Sequence, residues 1–213
     1  CTSTRMALSG GSSGAHIAML YAVTFGEESP IPVKLVMSRC GPAGFMPEDW
    51  ANSRDVWKKA EKEYGGYVYS PADSDPDYAK KIQVAADFVG KMLALGGGYL
   101  AKKENGESAV YSADEILSGC YEGSSRIYQQ IKTLSPSLLW EKYKIPCVAR
   151  HGELDGIVSI DCLRREKAEL EKIGVDCSYI ISSLDSHTLL SDRSAADAYE
   201  EECETYLKKY LPL

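Results

Sequence analysis

An α/β fold, with a mostly parallel sheet flanked by helices, is what this 213-residue sequence predicts. Three observations predict it. Short apolar runs alternate with longer amphipathic runs at both ends of the chain, the pattern of βαβ units. A glycine-rich junction, Gly10-Gly11-Ser12-Ser13-Gly14, links the first strand-like run to the first helix-like run. The middle of the chain carries helical signals without strand signals, so it reads as an insertion. The expected organisation is a core of residues 1–40 and 135–213, with a helical cap over 41–134.

Arg5-Met6-Ala7-Leu8 is the first expected strand. Ala15 to Val23 follows as a buried helix, too long and alanine-rich for a strand. Gly26 and Glu27-Glu28-Ser29-Pro30 form a turn, and Val33 to Ser38 is the second strand. Helices are then expected over about 48–64, 77–95, 112–118 and 124–133. Ser112, with Glu115 three residues on, is a capping box, and Pro76 suits the start of its helix. Gly96-Gly97-Gly98 lacks both the preceding strand and the following Lys-Ser/Thr of a phosphate cradle, so it reads as a break. Residues 145–151 form the third strand, which ends in the turn Gly152-Glu153-Leu154-Asp155-Gly156. A charged amphipathic helix over 160–173 stops at Gly174, as a glycine just past a helix end should. Cys177 to Ser182 is the fourth strand, followed by Leu184-Asp185-Ser186-His187, and the last helix runs over 194–210.

Composition excludes several functions. The net charge of −7 and pI near 5.1 argue against nucleic acid or an anionic membrane as the main partner. No apolar run approaches the roughly 18–20 residues of a membrane span, and Cys1-Thr2-Ser3-Thr4 lacks the apolar segment of a signal peptide. Seven cysteines, odd in number and scattered without a Cys-x-x-Cys pair, favour a reduced, cytoplasmic protein over a disulfide framework or a zinc site. Cys147 and Cys177 are expected as small buried side chains. No metal and no organic cofactor are expected.

The chemistry lies in three places. Ser12 sits on a tight strand-to-helix turn, where its hydroxyl is pushed outward and the helix N-terminus offers free N–H groups to an oxyanion. The backbone N–H of Ser13 is the expected oxyanion donor. A serine needs a base, and the base needs an acid to orient it. In α/β sheets both belong at the carboxyl ends of strands. Asp155 follows the third strand and His187 the fourth, 32 residues later. Among the other histidines, His16 lies within the first helix as a structural residue, and His151 holds the turn that bears the acid. Of the rival acids, Glu153 is too close to the strand, and Asp185 is too near His187 in sequence to brace it.

The segment Gly10 to His16 resembles the Gly-x-Ser-Ala-Gly-Gly-His elbow of the α/β-hydrolase family, most closely its carboxylesterase and lipase branch, with Ser13 for the usual Ala and Ala15 for the second of the paired glycines. His151-Gly152-Glu153-Leu154-Asp155-Gly156-Ile157-Val158 is similar to that family's His-Gly-x-x-Asp-x-x-Val turn, and Ser186-His187 to its histidine loop. The resemblance covers about residues 3–40 and 135–213 and implies the catalytic set Ser12, Asp155 and His187, acting on a small-molecule carboxylic ester. It also implies about four strands upstream of the elbow strand, together with a loop completing the oxyanion hole. A missing amino-terminal segment is therefore expected, and homo-oligomerisation stays open. Two alternatives remain: a prolyl-oligopeptidase-like serine peptidase, and a catalytically impaired binding domain of the same fold. Cap aromatics (Trp50, Trp57, Tyr64, Tyr67, Tyr69, Phe88, Tyr99) either line an apolar substrate pocket or form the cap's own core.

Overall fold

The computed structural model describes residues 4–65, 75–95 and 111–212. A four-stranded sheet runs in the order β1 (Met6–Gly11), β2 (Val33–Arg39), β3 (Cys147–Gly152) and β4 (Cys177–Ser182). Every neighbouring pair is parallel. All four strands therefore end at one rim, and the turns that follow them meet there. The helices are α1 (Ser13–Phe25), α2 (Pro47–Trp50), α3 (Arg54–Tyr64), α4 (Tyr78–Leu95), α5 (Ala113–Gly119), α6 (Arg126–Leu134), α7 (Ile160–Lys172) and α8 (Arg193–Tyr210).

Alternation along the strands sends side chains to two faces. Val36, Cys147 and Ala149 pack with Met19 and Ala22 of α1 and with Leu163 and Leu170 of α7. Leu35 and Val148 pack instead against Tyr199 and Tyr206 of α8. Burying a side chain such as Met19 or Leu170 completely stabilises the fold by about 1.5–3 kcal/mol. No helix among the described residues is long and apolar enough to cross a membrane.

Helices α2 to α6 enclose a separate core around Phe45, Trp50, Trp57, Val89 and Ile131, which Val158 and Cys162 join from the sheet side. Trp50 and Trp57 are buried in it, and Phe88 packs against it. These three belong to the interior that α2 to α6 enclose. Tyr67, Tyr69, Tyr99, the side chain of Tyr64 and the glycine run at 96–98 lie outside the described residues.

The structure corrects the expected elements in two places. The helix expected over 48–64 is two helices, because the chain between them is captured by other groups. Trp57 Nε1 donates to Ala51 O (2.7 Å), Asn52 Nδ2 to Asp161 Oδ2 (2.7 Å) and Ser53 Oγ to Ile157 O (3.2 Å). The first strand runs past Leu8 to Gly11, because Gly10 and Gly11 still pair with Ser38 and Arg39 of β2. Local signals held. Glu115 N donates to Ser112 Oγ (3.3 Å) while Ser112 N donates to the Glu115 carboxylate (2.7 Å). Gly174 takes φ 72° just past α7.

Candidate active site

Ser12 stands between β1 and α1 with φ 54° and ψ −127°, a backbone state costing a non-glycine residue about 1–3 kcal/mol. Its N–H donates to Arg39 O at 2.8 Å, which ties the turn to β2. Gly10 is required for this packing. A Cβ there would lie 2.4 Å from Gly14 C and 2.5 Å from Ala15 N. Gly14, the last residue of the Gly-x-Ser-x-Gly pattern, faces open space instead. Ser12 occupies the N-cap position of α1, yet its side chain makes no capping hydrogen bond. The hydroxyl is thus free for other partners. The N–H of Ser13, first residue of α1, has no intrahelical acceptor and lies at the positive end of the helix dipole.

Ser12 Oγ lies 3.0 Å from His187 Nε2, and His187 Nδ1 lies 2.8 Å from Asp155 Oδ2. Residues 175 positions apart in the chain are in hydrogen-bond contact. Asp155 Oδ1 accepts from the backbone N–H groups of Ile157 and Val158, each at 2.9 Å. Burial alone would raise the Asp155 pKa, but hydrogen bonds from His151, His187 and Ile157 overcome it and bring the value to about 2. The carboxylate is therefore charged at neutral pH. It can only accept, so His187 Nδ1 carries a proton and Nε2 presents its lone pair to the Ser12 hydroxyl. The side chain of His187 is 20% exposed and that of Asp155 is fully buried, so the imidazole reaches solvent and the carboxylate does not.

No protein-family model and no curated protein sequence matches this chain. Solved structures do. The acylaminoacyl peptidase of Pyrococcus horikoshii superposes on 99% of the chain with a TM-score of 0.56 and 15% identity. The dipeptidyl peptidase 4 of Porphyromonas gingivalis superposes on 97% (TM-score 0.52, 10% identity), and a puromycin hydrolase on 98% (TM-score 0.53, 14% identity). The fold is of the α/β-hydrolase type. At these identities the likeness is one of architecture, and this chain spans only 20–25% of the length of those proteins.

Within this α/β-hydrolase fold, several supporting groups escape sequence reasoning. Arg150 of β3 is buried, and its guanidinium binds Asp185 Oδ2 and donates to Asp192 O at 3.0 Å. Asp185 Oδ1 accepts from Ser191 N (2.8 Å) and Asp192 N (3.1 Å). Asp185 thus folds the loop that carries His187 and leaves the imidazole to Asp155. An arginine inside an otherwise apolar strand was the available signal. Gly152 lets the two loops touch, since a Cβ there would lie 2.2 Å from Asp185 O. His16 Nδ1 binds Pro42 O at 2.8 Å, the structural role expected of it. Glu153 lies on the surface beside Arg164, at 3.4 Å.

Cys40 follows β2 with φ 49°, and its sulfur lies within 4.8 Å of His151 and Asp155. Burial, and then the charge of Asp155, push its thiol up to about 12, so it is a neutral neighbour. The Asp155 oxygens of this trio already accept four N–H groups. The trio is a hydrogen-bonded cluster, and we assign no ion to it.

Proposed function

We propose that this chain is the catalytic part of a serine hydrolase that cleaves peptide bonds in short substrates. One observation carries the reading: His187 bridges the Ser12 hydroxyl and the Asp155 carboxylate at 3.0 and 2.8 Å. Ser12 Oγ attacks the substrate carbonyl while His187 Nε2 takes its proton. Asp155 stabilises the resulting imidazolium, and the N–H of Ser13 faces the tetrahedral oxyanion. His187 then returns the proton to the leaving amine, which leaves an acyl group on Ser12. Water repeats the sequence and frees the acid.

The choice of peptide bonds rests on the structural neighbours, two named as peptidases and one as puromycin hydrolase. Carboxylic ester cleavage is the second reading, favoured by the elbow segment Gly10 to His16. A fluorophosphonate probe tests the common part. Wild-type protein is labelled and Ser12→Ala is not; a folded wild-type protein that resists the probe would mean a binding domain. Turnover of aminoacyl p-nitroanilides beside p-nitrophenyl esters then separates the two chemistries. Activity confined to the esters would overturn the peptidase reading.

A further inference from the structure

The acid of this site serves two imidazoles, and the mechanism above uses one. Asp155 Oδ2 lies 2.8 Å from His187 Nδ1 and 3.2 Å from His151 Nε2. The same His151 nitrogen lies 3.0 Å from the Val158 carbonyl oxygen. Both partners can only accept, so His151 Nε2 carries the proton and divides it between them. Nδ1 of that ring is buried and has no hydrogen-bond partner. A second proton there would be an unpaired buried donor, which costs about 1–3 kcal/mol. His151 therefore acts as a donor through Nε2.

Asp155 Oδ1 is fixed separately by two backbone N–H groups, so the carboxylate stays in place without His151. What His151 changes is the charge left on Oδ2. The remaining titratable side chain against the carboxylate among the described residues is the neutral Cys40 thiol, while Arg150 on the same strand is engaged by Asp185.

We propose that His151 is a positioning residue that tempers the acid: it takes a share of Asp155 Oδ2 and so weakens the hydrogen bond that His187 Nδ1 donates to Asp155. Without that share, Asp155 would draw a proton onto His187 before substrate arrives, and a protonated base cannot activate Ser12. The bond to Val158 O fixes the donor at one spot, so the division of charge is set by the end of β3. This rests on reading Ser12, Asp155 and His187 as a triad.

The test uses the low-field proton resonance of His187 Nδ1–H, a charge-assisted hydrogen bond visible without turnover. In His151→Phe, similar in size but lacking the donor, the line moves downfield and the acid limb of kcat/KM moves to higher pH. In His151→Gln, whose amide nitrogen reaches a similar position, both stay at the wild-type values. A purely structural role moves neither in that direction. A line unmoved or shifted upfield in His151→Phe overturns the proposal and leaves the triad standing. No low-field line in the wild type overturns the triad reading together with the proposal. Should His151→Phe not fold, histidine-specific 15N labelling of the wild type decides. A proton on Nε2 of His151 supports the sharing, and a proton on Nδ1 overturns it.

Discussion

Replacing Asp155 by Asn changes one atom of the site and disables it through a fixed orientation. Asp155 Oδ1 accepts from the N–H groups of Ile157 and Val158. In Asp155→Asn the amide oxygen must take that position, which turns the NH2 group toward His187 and His151. His187 Nδ1 then faces a donor and can satisfy it only by giving up its own proton, so the ring holds its proton on Nε2. That nitrogen, 3.0 Å from Ser12 Oγ, can no longer accept the serine proton. A tautomer change of this kind in a Ser-His-Asp triad lowers kcat by about 10⁴, or about 5.4 kcal/mol of transition-state stabilisation. His151 meets the same NH2 group donor to donor, which destabilises the fold by about 1–3 kcal/mol. Steady-state kinetics on an aminoacyl p-nitroanilide, beside a thermal melt, reads both effects. KM stays within a few-fold of wild type. A loss of kcat below tenfold in a folded protein refutes the orientation argument.

Other perturbations have outcomes as definite. Arg150→Met leaves the buried Asp185 carboxylate without its cation, and chemical denaturation should report a loss of about 3–5 kcal/mol; fluorophosphonate labelling slows with it, as the His187 loop loosens. Gly10→Ala forces a methyl group against the backbone of Gly14 and Ala15 and costs about 1–3 kcal/mol, with labelling of Ser12 abolished, whereas Gly14→Ala changes stability by less than about 0.5 kcal/mol. Buried Glu166 has its carboxyl pKa raised by burial from the usual 4.5 to about 8. The unfolded chain releases that proton first, so stability is full below about pH 4.5 and falls as pH rises to about 8. Glu166→Gln removes this fall, and denaturation midpoints at pH 5 and pH 9 should differ less in the variant than in the wild type.

The meeting of the three side chains was legible because each position is set locally. Ser12, Asp155 and His187 each occupy the first few residues past a strand, and parallel strands bring such turns together without further information. The capping box at Ser112 and the glycine after α7 were legible for the same reason: each is complete within a few residues. What escaped is what the fold assembles from distant parts. The break between α2 and α3 is held by Asp161 and Ile157, more than a hundred residues away, and within the run from Glu48 to Tyr64 only the cap-forming pair Asn52-Ser53 announces it. Arg150 of β3 and Asp185 of the loop after β4 together hold the segment that carries His187, and Asp185 read from sequence only as a rival acid. The open space at Gly14 is a converse case, since the motif requires a glycine that the described packing does not.

The backbone angles at residue 12 have a wider implication. A glycine would rest comfortably there, so folding by itself disfavours a side chain at that point. Serine persists at the least welcoming position of the turn, and its hydroxyl is aimed at an imidazole instead of mending the helix end. The strain at residue 12 and the aim of its hydroxyl are thus one feature: the same backbone angles that a glycine would suit better carry the Oγ to within 3.0 Å of the His187 imidazole.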